Sequence, residues 1–215
     1  MKKNIKRIVL YILGLFVLAN GSALTINANL GVSPIVSLPL VISEIIEINI
    51  GIVTTIIFII LILIQFLILR KDFKWINLTQ IIFSILFGYF IDLALYIQSG
   101  LYFHEYISRF VIMLVGMGLI STGIVLFMEA NLVPLPVEGL ADVMAKVRKN
   151  GKFHIMKIIV DSAFVLIAIP LSLIYFGTII GIREGTVIGA ILVGKLIPLI
   201  RKLLLPLLKK FYTES

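Results

Sequence analysis

Cysteine is absent from this 215-residue chain and charge is scarce, with 14% of residues Asp, Glu, Lys or Arg against 60% hydrophobic. The first absence excludes disulfides, thiol catalysis and thiolate metal sites. The second excludes a soluble domain, because so little polar surface cannot cover a water-facing shell. Histidine is nearly missing as well. His104 and His154 each stand without a second histidine nearby, so no metal site is expected. The chain also has no phosphate-cradling glycine loop and no serine with a credible base partner. We expect no enzymatic activity and no cofactor.

What is abundant is apolar sequence. A mean hydropathy of +1.17 makes lipid the natural solvent. Runs long enough to cross a hydrocarbon core of ~30 Å fall at about 8–26, 52–69, 75–97, 110–128, 153–175 and 187–207. The first run follows a basic start but is as long as a full span and lacks a clean small-x-small cleavage site. It is expected to stay in the mature protein.

The cations set the orientation. With the N-terminus cytoplasmic, the inner segments hold Lys2, Lys3, Lys6 and Arg7; Arg70, Lys71 and Lys74; Lys146, Arg148, Lys149 and Lys152; and Arg201, Lys202, Lys209 and Lys210. Only Arg109 and Arg183 fall outside, and Lys157 and Lys195 lie within spans. This bias predicts cytoplasmic termini. It assigns the net charge of +8 to anionic lipid headgroups at the cytoplasmic face rather than to nucleic acid.

The chain also repeats itself. Residues 14–34 align without gaps on 116–136, with Gly14, Gly21, Leu24, Ala28, Asn29, Leu30 and Pro34 recurring 102 positions later. Ile82, Ile85, Leu86 and Gly88 recur as Ile188, Ile191, Leu192 and Gly194. The halves are thus 1–107 and 108–215, together one integral membrane domain. Three spans per half is an odd number, so the second half must enter the membrane from the opposite side. The expected fold is all-α and transmembrane, with six spans in two inverted three-helix repeats. Each repeat carries a short re-entrant or interfacial helix after its first span. Segment 34–48 is read as that helix on the outer side. Segment 138–149 is read as an amphipathic helix on the inner surface, with Leu140, Val143, Met144 and Val147 in one stripe and Asp142, Lys146 and Lys149 elsewhere.

Interrupted helices at matching places in two halves point to a solute site. Where a helix breaks at Asn29 or Asn131, backbone groups lose their partners. The asparagines either cap the ends or face a solute with the freed backbone. Pro34 and Pro136 are expected to open the following short helices. Buried charge is the second pointer. Asp161 sits near the middle of the fifth span, with Lys157 one turn earlier and Lys195 at a similar depth in the sixth. Pairing with either lysine makes a structural ion pair, or the group forms a coupling-ion, proton or substrate site. Glu129 takes the place of Asn27 in the repeat, beside the broken motif, and Asp92 is read as interfacial. The candidate solute-binding set is therefore Asn29, Pro34, Asn131, Pro136, Glu129, Asp161 and Lys195. The ion-pair or coupling set is Lys157, Asp161 and Lys195. Gly14, Gly21, Gly116, Gly118 and Gly123 are expected to let the first and fourth spans approach closely.

A glycine-containing first helix ending in Ala-Asn-Leu-Gly-x-Ser-Pro, a short helix, two more spans and a second similar copy together resemble the YczE/YyaS/YitT family of bacterial multi-pass membrane proteins. The resemblance runs from Tyr11 to about Arg201 and rests on 28–34, 130–136, 82–88 and 187–194. Without the soluble C-terminal domain of the YitT branch, the chain is similar to the short YczE-like members. Val133-Pro134-Leu135-Pro136 departs from the first copy's Gly31-Val32-Ser33-Pro34. The resemblance implies a bacterial plasma-membrane protein and brings no catalytic residues. The function expected is a transporter-like permease for a small solute, with its site at the repeat interface. The alternatives are a substrate-binding subunit of a larger importer and a non-transporting accessory protein. The expected partners are a small solute, the lipid headgroups, and a second copy or a membrane complex.

Overall fold

A computed structural model describes residues 2–148 and 151–213. The described residues form eight α-helices and two 3₁₀ turns, with no strand among them. In order these are α1 (Lys2–Ala28), α2 (Pro34–Ile46), α3 (Ile50–Leu69), α4 (Thr79–Ile97), α5 (Tyr106–Glu129), α6 (Pro136–Val147), α7 (Phe153–Phe176) and α8 (Glu184–Thr213). Lys149 and Asn150, in a segment expected to be inward, lie outside the described residues.

Five helical stretches are long and apolar enough to cross a membrane: Asn4–Ala28, Ile50–Asp72, Trp75–Ile97, Tyr106–Glu129 and Phe153–Phe176. The sixth expected span, 187–207, lies inside the continuous helix α8, but Lys195, Arg201 and Lys202 fall within it and it is not among the five. The spanning helices present wide apolar faces, such as Ile52, Ile56, Ile60, Leu63 and Leu67 on α3, all exposed. A water-soluble protein does not carry such a stripe.

The helix ends follow from local chemistry. α1 stops at Ala28 because Asn29 turns left-handed at φ 49°, and α5 stops before Asn131 at φ 52°. Among residues with a Cβ, asparagine tolerates that region best. Pro34 and Pro136 then open α2 and α6, where a missing N–H costs nothing.

The helices gather into two compact units. One comprises Met1–Ser33, Leu93–Leu132 and Arg183–Ser215; the other comprises Pro34–Asp92 and Val133–Ile182. In the first unit α1 and α5 run antiparallel at very close range. A Cβ built on Gly21 would lie 2.6 Å from the Gly116 carbonyl oxygen, and one on Gly123 would lie 2.5 Å from the Leu18 nitrogen. Gly118, expected at this contact, faces open space. α8 packs on α5, with Ile188, Leu192 and Val193 against a core of Ala28, Leu30, Met113 and Met117.

In the second unit α2 packs on α3 and α7, and α6 also packs on α3 and α7. Both short helices differ from surface helices. Residues 36–41 of α2 and 136–141 of α6 are buried without interruption, so these turns are enclosed on all faces while the C-terminal ends of both helices are exposed. The expected stripe on α6 ends in an exposed Val147, whereas Glu138, outside that stripe, is buried. The cause is a polar lining for α6, described next.

Candidate functional site

Two glutamines interrupt otherwise apolar helices of the second unit, Gln65 on α3 and Gln80 on α4, each 1% exposed. The Gln65 amide donates to the Pro136 carbonyl at 3.0 Å and to Gln80 Oε1 at 3.2 Å. Gln80 Nε2 donates back to Gln65 Oε1 at 3.4 Å. The start of α6 can come this close because residue 139 is glycine; a Cβ there would lie 2.8 Å from Gln65 Oε1. Next to it, in the first turn of α6, stands Glu138, where the helix dipole favours an acid.

Lys157 on α7 faces this acid. Its Nζ lies 2.6 Å from Asp161 Oδ1, one turn further along α7, and 3.6 Å from Glu138 Oε1. The Glu138 side chain is 9% exposed. Its second oxygen, Oε2, is buried without a hydrogen-bond partner among the described residues. Burial pushes this carboxyl above its ordinary range, opposed chiefly by the Lys157 ammonium. The result is a lysine shared unequally by two acids, beside paired glutamines. Such a group of side chains can hold a polar solute or an ion by charge and hydrogen bonding.

The other candidate residues sit elsewhere. Asn29 and Asn131 are exposed, at opposite ends of the antiparallel α1–α5 pair, so the structure does not bring them together. Their freed backbone is covered reciprocally. Arg109, at the start of α5, donates Nε to the Ala28 carbonyl at 2.7 Å and Nη2 to the Asn29 carbonyl. Arg7, near the start of α1, donates Nε to the Ala130 carbonyl at 2.7 Å and Nη2 to the Asn131 carbonyl. Arg183 adds a bond to the Asn29 carbonyl at 3.3 Å. Glu129 pairs with Arg201 at 2.6 Å, and Lys195 is exposed on α8. Pro34 opens α2, and its carbonyl accepts from the Ser37 hydroxyl at 2.6 Å. Asp92, read as interfacial, accepts from the Gly51 N–H at 2.8 Å, at the start of α3. Of the sequence candidates, Pro34, Pro136, Lys157 and Asp161 fall in the second unit, and Asn29, Asn131, Glu129 and Lys195 in the first.

The sequence profile of a family of unknown function, DUF6198, matches residues 5–202. The chain belongs to that family. No curated protein and no solved structure matches it. The DUF6198 match carries no link to the YczE/YyaS/YitT resemblance.

Three kinds of residue in this DUF6198 protein are missing from the candidates drawn from the sequence. Glu138 is hidden because it stands beside the inward cations; its position in the repeat, held by Val36 in the first copy, is the available signal. Gln65 and Gln80 are visible as polar residues within apolar runs. Arg7 and Arg109 are themselves 102 positions apart, the spacing of the motifs whose carbonyls they cover.

Proposed function

We propose that this DUF6198 protein is a permease for a small polar solute in the bacterial plasma membrane, a reading in keeping with its resemblance to the YczE-like proteins. In this reading six spans form two inverted three-helix repeats and both termini are cytoplasmic. The observation that carries it is the group formed by the buried Glu138 and the partly buried Lys157 and Asp161, in the same unit as the buried pair Gln65 and Gln80. Ionisable groups at such places are costly and mark solute or ion pathways. α3 and α4 come from the first repeat and α6 and α7 from the second, so the group stands where the copies meet, as a site at a repeat interface requires. The reciprocal arginine contacts, Arg7 to Ala130 and Arg109 to Ala28, support the inverted topology.

Melting of the purified protein against a panel of small polar solutes tests the reading. At least one solute is expected to raise the melting temperature of the wild type. Gln65→Leu should weaken that response by about tenfold in solute concentration, the scale of ~1.4 kcal/mol. Uptake of the same solute into proteoliposomes should follow. If no solute acts and the protein copurifies with an ATPase pair or another membrane complex, the subunit or accessory reading takes its place.

A further inference from the structure

We infer that Glu138 is the proton-binding group of this site, with Oε2 taking one proton from water and returning it as the solute leaves or enters. The inference rests on the permease reading above and names its coupling ion. Three observations carry it. First, Lys157 is a full hydrogen-bond partner of Asp161 at 2.6 Å and only a charged neighbour of Glu138 at 3.6 Å. The ammonium's short contact is therefore spent on Asp161. Second, Glu138 Oε2 has no donor among the described residues, although its side chain is nine-tenths buried. A buried carboxylate oxygen without a donor is a costly arrangement, and a proton removes the charge that makes it so. Third, among the described residues the charges acting on it come from α7, which supplies Lys157 and Asp161, whereas α3, the other helix packed on α6, brings the neutral Gln65 against the Pro136 carbonyl and Gly139. On α6 itself the half-exposed Asp142 and the exposed Lys146 pair with each other.

With Lys157 and Asp161 balanced, an ionised Glu138 leaves the group with one net negative charge in a low-dielectric setting. A protonated Glu138 leaves it neutral and turns Oε2 into a donor. The same oxygen thus offers a solute an acceptor in one state and a donor in the other. Solute occupancy and proton occupancy then become linked.

The test is an infrared titration of the full-length protein in detergent between about pH 5 and about pH 9, the range in which buried glutamates titrate. Wild type is expected to show the carboxylic-acid C=O absorption of one buried group, lost as pH rises with a one-proton profile. Glu138→Gln should remove it. Identical titrations of wild type and Glu138→Gln overturn the inference. Should Glu138→Gln fail to fold, Asp161→Asn supplies the second arm. It frees Lys157 to turn to Glu138, so the midpoint should move to lower pH by at least a tenfold change in proton affinity, and an unmoved midpoint overturns the inference. Solute-dependent melting of the same samples separates the two claims. A titrating Glu138 with no solute response defeats the permease reading alone, and a solute response without the titration defeats the proton site alone.

Discussion

At the scale of single residues, Lys157 is the side chain on which two acids depend. It is the cation between Glu138 and Asp161, so its loss leaves two carboxylates without compensation in a unit of apolar helices. Lys157→Met is expected to destabilise the protein by ~3–5 kcal/mol, and the double change Lys157→Met with Asp161→Asn should recover much of that loss, measured as denaturation midpoints in one detergent. Absence of any recovery means that the pair is not coupled. The arginines make a second residue-scale prediction. Arg7 and Arg109 each fork onto two carbonyls that the end of a helix leaves without partners. Arg7→Ala and Arg109→Ala should each cost about 1.5–3 kcal/mol, the range for hydrogen bonds to charged groups. Arg→Lys should restore only part, because an ammonium lacks the planar fork. Equal melting of all four variants and wild type would show that the carbonyls are satisfied without the arginines. The sequence announces Lys157 and Asp161, because charge within an apolar run is visible without a structure. It conceals the arginines, because each lies near the start of one helix and acts on the far end of another, 123 and 81 residues away.

At the scale of the helix, α1 and α5 depend on the absence of side chains at matched positions. The backbone carbonyl of Gly116 occupies the space a Cβ on Gly21 would need, and the Leu18 nitrogen does the same for Gly123. Rigid backbone cannot yield as a flexible side chain would. Gly21→Leu and Gly123→Leu should therefore separate the pair and cost at least the ~1–3 kcal/mol of an overpacked core, read as loss of monodisperse protein in gel filtration or a lowered melting midpoint. Gly118→Leu is the control. It sits on the same helix as Gly123 but faces open space, and should melt as the wild type does. A uniform effect of all three would trace to helix propensity rather than to packing. The glycine contact is legible because the 102-residue repeat places Gly14 and Gly21 opposite equivalents in the second half. The enclosure of α2 and α6 is not legible. Apolar stripes reveal one buried face, while burial on the remaining faces depends on what neighbours provide, here Gln65 against the Pro136 carbonyl and Gly139.

At the scale of the whole chain, the number of crossings and their direction decide which carbonyls and which acids face the cytoplasm. Five stretches meet the length and hydropathy that spanning requires. The sixth, in α8, carries three cations within its apolar run, so its crossing has to be measured. Since the chain contains no cysteine, single introduced cysteines report position without background. Gln98 is a poor probe, being buried and bonded to Asn20 and Asn27. Tyr102, beyond the end of α4, is 78% exposed, and Asp72, between α3 and α4, is exposed as well. Under the positive-inside assignment, an impermeant thiol reagent added to intact cells should label Tyr102→Cys and leave Asp72→Cys unlabelled until the membrane is opened. A cysteine at Lys202, in the inward stretch of α8, should behave as Asp72→Cys does if the last helix crosses. Labelling of the Lys202 variant from outside, with Asp72→Cys still protected, would leave five crossings and termini on opposite sides. The three crossings between the two copies of the broken-helix motif are what would set them in reverse order whatever α8 does, while a sixth crossing is what would bring both basic termini to one side, the cytoplasmic one under the positive-inside assignment.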